Sequence, residues 1–330
     1  CIRDRPYPGL ASFTADDTEY FFGRELEIEA MWKRLQRSHL LGLIGPSGTG
    51  KSSFLRAGLL PVSPTGWRAV VMTPGDQPFA ALARELVPEL SADTEALQWL
   101  TNPNDSKTLL SAVKKWRQGH AETLLIVDQF EELFTQNPAE AQKRFTELLG
   151  SLALEADVHV LLAMRDDFLA FCSHFASLAP VFTHLTPLKP LTGGAIRRAL
   201  VQPALKCGYR FEDDTLVDEM LAEVSDEKGA LPLLAFAASR LWDHRDQGNG
   251  LLTREAYEHI GGVGGALALH AEQTLETIGR RRIPIVRELF RNLVTAQGTR
   301  AVRDRQELLS VFDGSDHPGA RAPESNEKRS

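Results

Sequence analysis

The stretch that most restricts the fold of this chain is a glycine-rich loop between an apolar run and a helical pattern. Residues 45–52 read GPSGTGKS after the apolar run LLGLI, and match GxxxxGK[ST] at every fixed position. Glycines let backbone N–H groups turn inward around an anion, and the start of the next helix adds a partial positive charge. The pattern predicts a phosphate-binding loop made of Gly45, Pro46, Ser47, Gly48, Thr49, Gly50, Lys51, Ser52 and Ser53.

The segments on either side of this loop alternate between short apolar runs and helical periodicity. The runs LLGLIG, RAVVM, TLLIVD, VHVLLAM and FTHLTPL are typical of strands, and helical patterns lie between them around residues 51–60, 78–90, 107–119 and 138–155. Continuous apolar strands that alternate with helices indicate a parallel sheet covered on both faces. We therefore predict an α/β fold with five parallel strands.

The chemistry of a bound nucleotide requires a cation and charged groups beside the loop. Lys51 would reach the β- and γ-phosphates and Ser52 would bind Mg²⁺. The run TLLIVD would deliver Asp128, a second Mg²⁺ ligand, to the carboxyl edge of the sheet. Glu131 and Glu132 follow, and either acid could polarise an attacking water; both could instead favour the start of the next helix.

Arg165 ends the next apolar run and precedes two aspartates. An arginine at this edge could contact the γ-phosphate and so distinguish a nucleoside triphosphate from a diphosphate. The alternative is a surface ion pair with Asp166 or Asp167.

The second half of the chain has a different pattern. After about residue 190 we expect helices, first in a lid-like region and then in a smaller unit in which GGVGGAL forms a turn and GTRAVRDRQELL adds short strands or a helix. The polar end lacks periodicity, which is typical of disorder. The predicted organisation is an N-terminal arm over 1–20, a P-loop NTPase domain over 21–190, a helical lid over 191–250, a winged-helix-like domain over 251–312 and a disordered tail over 313–330.

Composition excludes several classes of protein. The net charge of -7 argues against a nucleic-acid partner. The three cysteines, Cys1, Cys172 and Cys207, form no CxxC pattern, so we expect a reducing cytoplasm and neither a disulfide framework nor a zinc site. The apolar runs are too short to span a bilayer, so we expect no membrane partner. The first residue is Cys1 rather than Met, which suggests a piece of a longer chain.

Six blocks of the sequence resemble a known family, in the order in which that family carries them. They are PYPGLASFTADDTEYFFGRE, GPSGTGKSSFLRAGLLP, DQFEELF, RDDFL, GALPLLAFAASRLWD and LTREAYEHIGGVGGAL. Together they resemble the STAND class of signal-transduction ATPases, relatives of the NACHT and NB-ARC domains, and within it the first of the "novel STAND" families found in bacteria. The resemblance implies a P-loop sheet with an additional strand in AAA-like order, followed by a lid and a winged helix.

The resemblance also assigns residues and partners. Gly23 and Arg24 match an element that contacts the base and ribose, although Arg24 could equally be a solvated residue at a helix start. Pro232 matches a proline that packs against adenine, although a proline there could simply begin a helix. The implied cofactors are ATP or ADP with Mg²⁺. The implied partners are further copies in the ATP state and effector and sensor domains of a longer chain, the sensor often of WD-type repeats.

These features predict a slowly hydrolysing ATP-dependent switch that controls oligomerisation and an effector. One alternative is a DNA-associated ATPase of the origin-recognition type, in which Arg280 to Arg282 and Arg300 to Arg305 would face DNA. A third possibility is a nucleotide-binding scaffold without turnover. The sequence leaves open the stimulus, the effector, the oligomer size and the choice between Glu131 and Glu132.

Overall fold

The centre of the fold is a parallel sheet of five strands. The computed structural model describes residues 5–101, 105–225, 230–294 and 308–310. The strands of the sheet are β1 (Leu40–Gly45), β2 (Trp67–Met72), β3 (Glu122–Val127), β4 (His159–Arg165) and β5 (Leu185–Pro187). Their spatial order is β2-β3-β4-β1-β5 and every pairing is parallel. The predicted α/β class, the five strands and the AAA-like order are confirmed.

Alternate residues of the central strands enter two different apolar cores, which explains their uninterrupted hydrophobicity. In β3, Leu125 and Val127 belong to one buried cluster, whereas Leu124 and Ile126 belong to another. Side chains alternate between the faces of a strand, so a sheet covered on both sides needs apolar residues at every position. The polar residues are consequently displaced to the strand ends.

Helices cover both faces of this sheet. Those up to β5 are α1 (Glu25–Leu35), α2 (Lys51–Ser53), α3 (Pro78–Glu89), α4 (Thr94–Leu100), α5 (Ser106–Gln118), α6 (Glu132–Gln136), α7 (Ala139–Glu155) and α8 (Leu169–Cys172). Short 3₁₀-helices occupy Ala15–Tyr20, Leu60–Val62, Asp166–Phe168 and Ala176–Thr183. The short helices α4, α6 and α8 were not predicted, because one or two turns give too few residues for a periodic pattern.

The helix after the phosphate loop departs from the regular helix predicted over residues 51–60. After α2 the chain forms a π-helix over Phe54–Leu59, in which the N–H of Leu60 donates to the carbonyl of Leu55. Such single-turn π segments are rare and often occur at functional sites. The wider turn changes the direction in which the side chains of this helix project.

The chain after β5 folds mainly into helices around a third apolar cluster. They are α9 (Gly193–Lys206), α10 (Asp214–Ala222), α11 (Ala230–Asp243), α12 (Arg254–His259) and α13 (Gly262–Ile278). The expectation of helices alone is wrong here, because β6 (Arg210–Phe211) and β7 (Leu251–Leu252) form a parallel pair. Strands of two residues from distant parts of the chain have no local sequence pattern.

The glycine-rich segment 261–267 is mostly helical, although the sequence predicted a turn. Gly261 and Gly262 have positive φ, and α13 begins at Gly262. The carboxylate of Glu223 accepts hydrogen bonds from the N–H groups of Val263 at 2.9 Å and Gly264 at 3.2 Å. A negative charge at a helix start satisfies N–H groups that lack partners within the helix. The turn is thereby limited to the first two glycines.

The predicted N-terminal arm is anchored on the helical region. Tyr7 is buried against Trp242, and its hydroxyl donates to the carbonyl of Leu200 at 2.5 Å. The backbone N–H of Phe13 donates to the hydroxyl of Ser53 at 3.1 Å. The arm therefore contacts both the α9–α11 region and the helix that follows the phosphate loop.

By compactness the chain divides into residues 1–267 and residues 268–330. The described part of the second unit contains the end of α13, a 3₁₀-helix over Arg280–Arg282, α14 (Ile283–Leu293) and helical residues 308–310. The short strands or helix expected in GTRAVRDRQELL, residues 298–309, lie mostly outside the described residues, and so does the predicted tail over 313–330. The domain boundaries and the winged helix stay predictions.

Gly23 should be intolerant of a side chain, because it touches the start of α9. Its φ is +93°, and a Cβ built on it would lie 2.5 Å from the carbonyl oxygen of Ala195. An alanine in a left-handed backbone conformation costs roughly 1–2 kcal/mol of stability. The clash of its Cβ with a packed neighbour adds roughly 1–3 kcal/mol. We expect Gly23→Ala to lower the free energy of unfolding, measured by urea denaturation, by about 3 kcal/mol.

Gly75 offers the matched control, since its φ is +56° but nothing lies within 4 Å of a built Cβ. Gly75→Ala should cost only the backbone strain, about 1 kcal/mol. Equal losses for the two variants would show that the contact with Ala195 is unimportant.

Candidate functional site

The phosphate loop lies at the carboxyl edge of the sheet, between β1 and α2. Gly48 and Gly50 have φ values of +80° and +86°, a conformation that glycine adopts without strain. A Cβ on Gly45 would lie 2.7 Å from the carbonyl oxygen of Leu188, so this position also has no room for a side chain. The hydroxyl of Thr49 donates to the carbonyl of Pro46 at 3.0 Å and so closes the loop. Together these constraints define a compact anion-binding loop.

Lys51 projects over this loop. Its ammonium donates to the carbonyl oxygens of Gly45 at 2.8 Å and Pro46 at 3.0 Å. Burial lowers the pKa of Lys51, while the negative charges of Glu131, Asp166 and Asp128 act in the opposite direction. A partly desolvated cation on this loop is a suitable partner for phosphate oxygens.

Ser52 and Asp128 meet as the sequence predicted. The hydroxyl of Ser52 donates to Oδ1 of Asp128 at 3.1 Å, and the N–H of Gln129 donates to the same oxygen at 3.0 Å. The Asp128 side chain is only 1% exposed, and its Oδ2 lacks a hydrogen-bond partner. A buried carboxylate oxygen without a donor, beside a hydroxyl, fits the oxygen ligands that Mg²⁺ prefers. Mg²⁺ bound by these residues would neutralise charge on the phosphate oxygens.

The two candidate acids, Glu131 and Glu132, have different environments in the structure. Oε2 of Glu131, in the segment after β3, accepts a hydrogen bond from the backbone N–H of Arg165 at the end of the neighbouring strand β4, at 3.3 Å. Burial raises the pKa of Glu131, although the charges of Lys51 and Arg165 partly oppose that increase. Glu132 begins α6, where a negative charge favours the helix N-terminus. Of the two, Glu131 is therefore the better placed general base.

A strained backbone precedes these acids. Gln129 has a φ of +52°, which is uncommon for residues other than glycine. The chain turns sharply there, immediately after Asp128, and the N–H of Phe130 donates to the carbonyl of Ala163 in β4 at 2.9 Å. The turn brings Glu131 back over the edge of the sheet.

Arg165 ends β4, and its side chain forms the ion pair that the sequence left as an alternative. Its guanidinium contacts both carboxylate oxygens of Asp167, at 3.0 Å and 2.5 Å, and lies over the ring of Phe168. Asp167 is about half exposed, so the pair is partly solvated. The role of Arg165 at a γ-phosphate stays a prediction.

Gly23 and Arg24 contact the protein rather than open solvent. The guanidinium of Arg24 is 3% exposed and donates to the carbonyl of Thr49 at 3.0 Å and to Glu27 at 3.0 Å. Burial lowers the pKa of Arg24, and Glu27 offsets part of that effect. The reading of Arg24 as a solvated residue is thus wrong, because the side chain supports the phosphate loop. Contacts of Gly23 and Arg24 with a base and ribose stay predictions.

Pro232 is the third residue of α11, so it lies in the first turn of a helix as the alternative reading held. Its neighbour Leu231 reaches the phosphate loop, since Cδ2 of Leu231 is 3.3 Å from a Cβ built on Gly50. The start of α11 is thereby beside the loop. Contact of Pro232 with adenine stays a prediction, as do the nucleotide contacts of Ser47 and Ser53.

Sequence reasoning missed Arg56, whose Nη2 lies 3.6 Å from Oδ2 of Asp128. A signal was present, because Arg56 follows Ser52 by four residues and such spacing places two side chains on one helix face. The ion pair itself depends on the packing of the helix against β3, which local sequence does not encode.

The strand order, the phosphate loop and the Ser52–Asp128 pair define a P-loop NTPase. The chain belongs to the Novel STAND NTPase 1 family, which matches residues 6–324. The family confirms the suspected resemblance and the predicted enzyme class, a P-loop ATPase. No curated protein matches this chain.

The fold of this chain is also found in a solved Walker-type ATPase. The Walker-type ATPase PABY2304 of Pyrococcus abyssi is 16% identical with a TM-score of 0.57, over 92% of this chain and 91% of that chain. Cdc6p from Pyrobaculum aerophilum is 16% identical with a TM-score of 0.49, over 88% of this chain and 84% of that chain. In the described parts of the chain, no helix is long and apolar enough to cross a membrane.

Replacing Lys51 should remove nucleotide binding. Lys51→Ala deletes the loop's cationic side chain, which both di- and triphosphates require. We expect at least about a hundredfold loss of affinity by titration calorimetry, which corresponds to roughly 2.7 kcal/mol. The exposed Lys33 pairs with Glu29 on the surface of α1, and Lys33→Ala is the matched control. Native affinity in Lys51→Ala would show that nucleotide binds elsewhere.

Proposed function

We propose that this chain is an ATP-binding, slowly hydrolysing switch module that uses Mg²⁺ and changes its assembly with the bound nucleotide. The observation that carries the proposal is the close approach of the helical region after β5 to the phosphate loop. Cδ2 of Leu231 in α11 lies 3.3 Å from a Cβ built on Gly50, so a helix outside the sheet reaches the loop that we propose binds phosphate.

A second contact connects the same two regions. Gly23 approaches the carbonyl of Ala195 in α9, and the next residue, Arg24, donates to the carbonyl of Thr49 in the loop. Interfaces packed this closely favour discrete arrangements over continuous deformation. A change in loop position on nucleotide exchange would therefore act on α9 and α11 together.

Only contacts that differ between the two nucleotide states can drive a switch. ADP and ATP would share Lys51 and the loop N–H groups. The γ-phosphate would add contacts at the edge where Arg165 and Glu131 lie, joined by the hydrogen bond from the Arg165 N–H. The partly solvated Asp167 pair could then be exchanged for a phosphate at modest cost. Arg165 is thus our candidate for sensing the γ-phosphate.

Hydrolysis requires a base that can accept a proton from water. Glu131 suits this role because burial raises its pKa above the ordinary value for a glutamate and because its carboxylate is held at a backbone N–H. The same hydrogen bond limits the rotation of the side chain. A general base whose carboxylate is fixed by this hydrogen bond is consistent with slow, regulatory ATP turnover.

A nucleotide-dependent switch acts on binding partners. We propose self-association in the ATP state, and effector and sensor domains, such as WD-type repeats, elsewhere in a longer chain that acts in the cytoplasm. The net charge of -7 argues against DNA as a partner. Steeply salt-dependent binding to duplex DNA would instead support the origin-recognition alternative.

The two glutamates provide a matched pair of variants. Glu131→Gln keeps the shape and removes the negative charge, so phosphate release should fall by roughly 10²- to 10⁴-fold, the usual contribution of a general base. Mg²⁺-ATP binding should persist, because Ser52, Lys51 and Asp128 are unchanged. Glu132→Gln should change turnover by less than about threefold, since its charge acts at the start of α6.

The same variants test the switch. Blocked hydrolysis should leave Glu131→Gln in the ATP form, and light scattering in ATP should then show larger particles than for Glu132→Gln. Reversed kinetic effects would assign catalysis to Glu132. Lost turnover with unaltered assembly would leave an ATPase that is no switch.

Adenine nucleotides should be preferred over guanine nucleotides. By family resemblance, Arg24 and Pro232 are our candidates for contact with adenine, and the sequence lacks the NKxD element that recognises guanine. In competition against a fluorescent ADP analogue, we expect GTP to be at least about tenfold weaker than ATP, a difference of roughly 1.4 kcal/mol. Equal competition would contradict adenine recognition.

A further inference from the structure

Arg56 lies beside the carboxylate that is suited to bind Mg²⁺. Its Nη2 is 3.6 Å from Oδ2 of Asp128, the oxygen that has no hydrogen-bond partner. The Arg56 side chain is 37% exposed, but its Nε is buried and also lacks a hydrogen bond. The guanidinium and the carboxylate thus approach each other, while Nε of the one and Oδ2 of the other are both buried without a hydrogen bond.

The π-helix accounts for the position of Arg56. Arg56 is the third residue of the segment Phe54–Leu59, and its neighbours Leu55 and Ala57 are buried. The backbone is therefore held by packing on both sides of Arg56. The guanidinium approaches Asp128 from the helix that also carries Ser52, so the loop, the hydroxyl and the cation belong to one continuous segment.

The buried negative charge of Asp128 needs a positive partner. A carboxylate that is 1% exposed requires a nearby positive charge. In the described residues, the ion pair of Asp128 is with Arg56. A divalent cation at Ser52 and Asp128 would satisfy the same carboxylate, and its charge would repel the guanidinium. Arg56 and the metal are therefore alternative partners of one buried charge.

We propose that Arg56 is a positioning residue that competes with Mg²⁺ for Asp128 and so makes metal binding weaker and dependent on bound nucleotide. Without the metal, Arg56 compensates the buried charge and keeps the carboxylate directed at Ser52. With nucleotide present, the phosphates supply the additional negative charge that lets the metal displace the guanidinium. This inference rests on the proposed nucleotide site.

Mn²⁺ binding to the ADP complex, followed by electron paramagnetic resonance, tests the proposal without measuring turnover. Arg56→Gln removes the competing charge, so Mn²⁺ should bind about tenfold more tightly, which corresponds to roughly 1.4 kcal/mol. ADP affinity in EDTA should stay equal or fall. If the role of Arg56 were merely structural, its replacement would instead weaken both Mn²⁺ binding and ADP binding. Unchanged or weaker Mn²⁺ binding in Arg56→Gln would overturn the proposal.

Two further variants separate charge from structure. Arg56→Lys keeps a positive charge and should bind Mn²⁺ within about threefold of the wild type. The exposed Arg37 lies in the turn after α1, and Arg37→Gln should leave Mn²⁺ binding unchanged. If Arg37→Gln increased the Mn²⁺ affinity as much as Arg56→Gln does, the cause would be a general effect of net charge. That result would contradict the proposal.

A measurement on the wild type remains decisive if Arg56→Gln does not fold. The Nε–H signal of Arg56 can be identified in ¹⁵N spectra by its absence from Arg56→Lys. Adding Mg²⁺ to the ADP complex should shift this signal and accelerate its exchange with water, because the guanidinium leaves Asp128. An unaltered signal with Mg²⁺ bound would refute the competition. Failure of the wild type to bind ADP at all would instead refute the proposed function.

Discussion

The negative charge of Asp128, buried at the carboxyl edge of the sheet, is the constraint on which the site depends. Four apolar residues of β3 lead the chain to it, and the side chain is 1% exposed. Burying a carboxylate costs free energy unless hydrogen bonds and cations compensate it. Ser52 and the N–H of Gln129 supply hydrogen bonds to one oxygen, and Arg56 supplies charge near the other. The helix after the phosphate loop is thereby fixed against β3.

The phosphate loop is also held from outside its own motif. Arg24 donates to the carbonyl of Thr49, Leu188 restricts Gly45, and Leu231 packs beside Gly50. These three contacts come from α1, from the end of β5 and from α11. A loop supported in this way loses little conformational freedom when an anion binds, which favours affinity. The same supports connect the loop to the regions that a switch would have to move.

The two glutamates show how tertiary structure distinguishes residues that sequence cannot. Both follow Asp128 within four positions and both could serve as a base. The left-handed turn at Gln129 directs Glu131 to the backbone of Arg165, whereas Glu132 becomes the first residue of α6. Their different environments follow from one backbone conformation, and burial then raises the pKa of Glu131.

Local patterns in the sequence determined the phosphate loop, the five strands, the longer helices and the meeting of Ser52 with Asp128. These features depend on short-range periodicity, on glycine conformation and on the rule that parallel strands end at one edge. The paired strands β6 and β7, the loop contacts of Arg24 and Leu231 and the approach of Arg56 were decided only by the tertiary structure. Each of these requires two separate segments to pack at a particular distance or a helix to depart from regular geometry, and no local pattern specifies either.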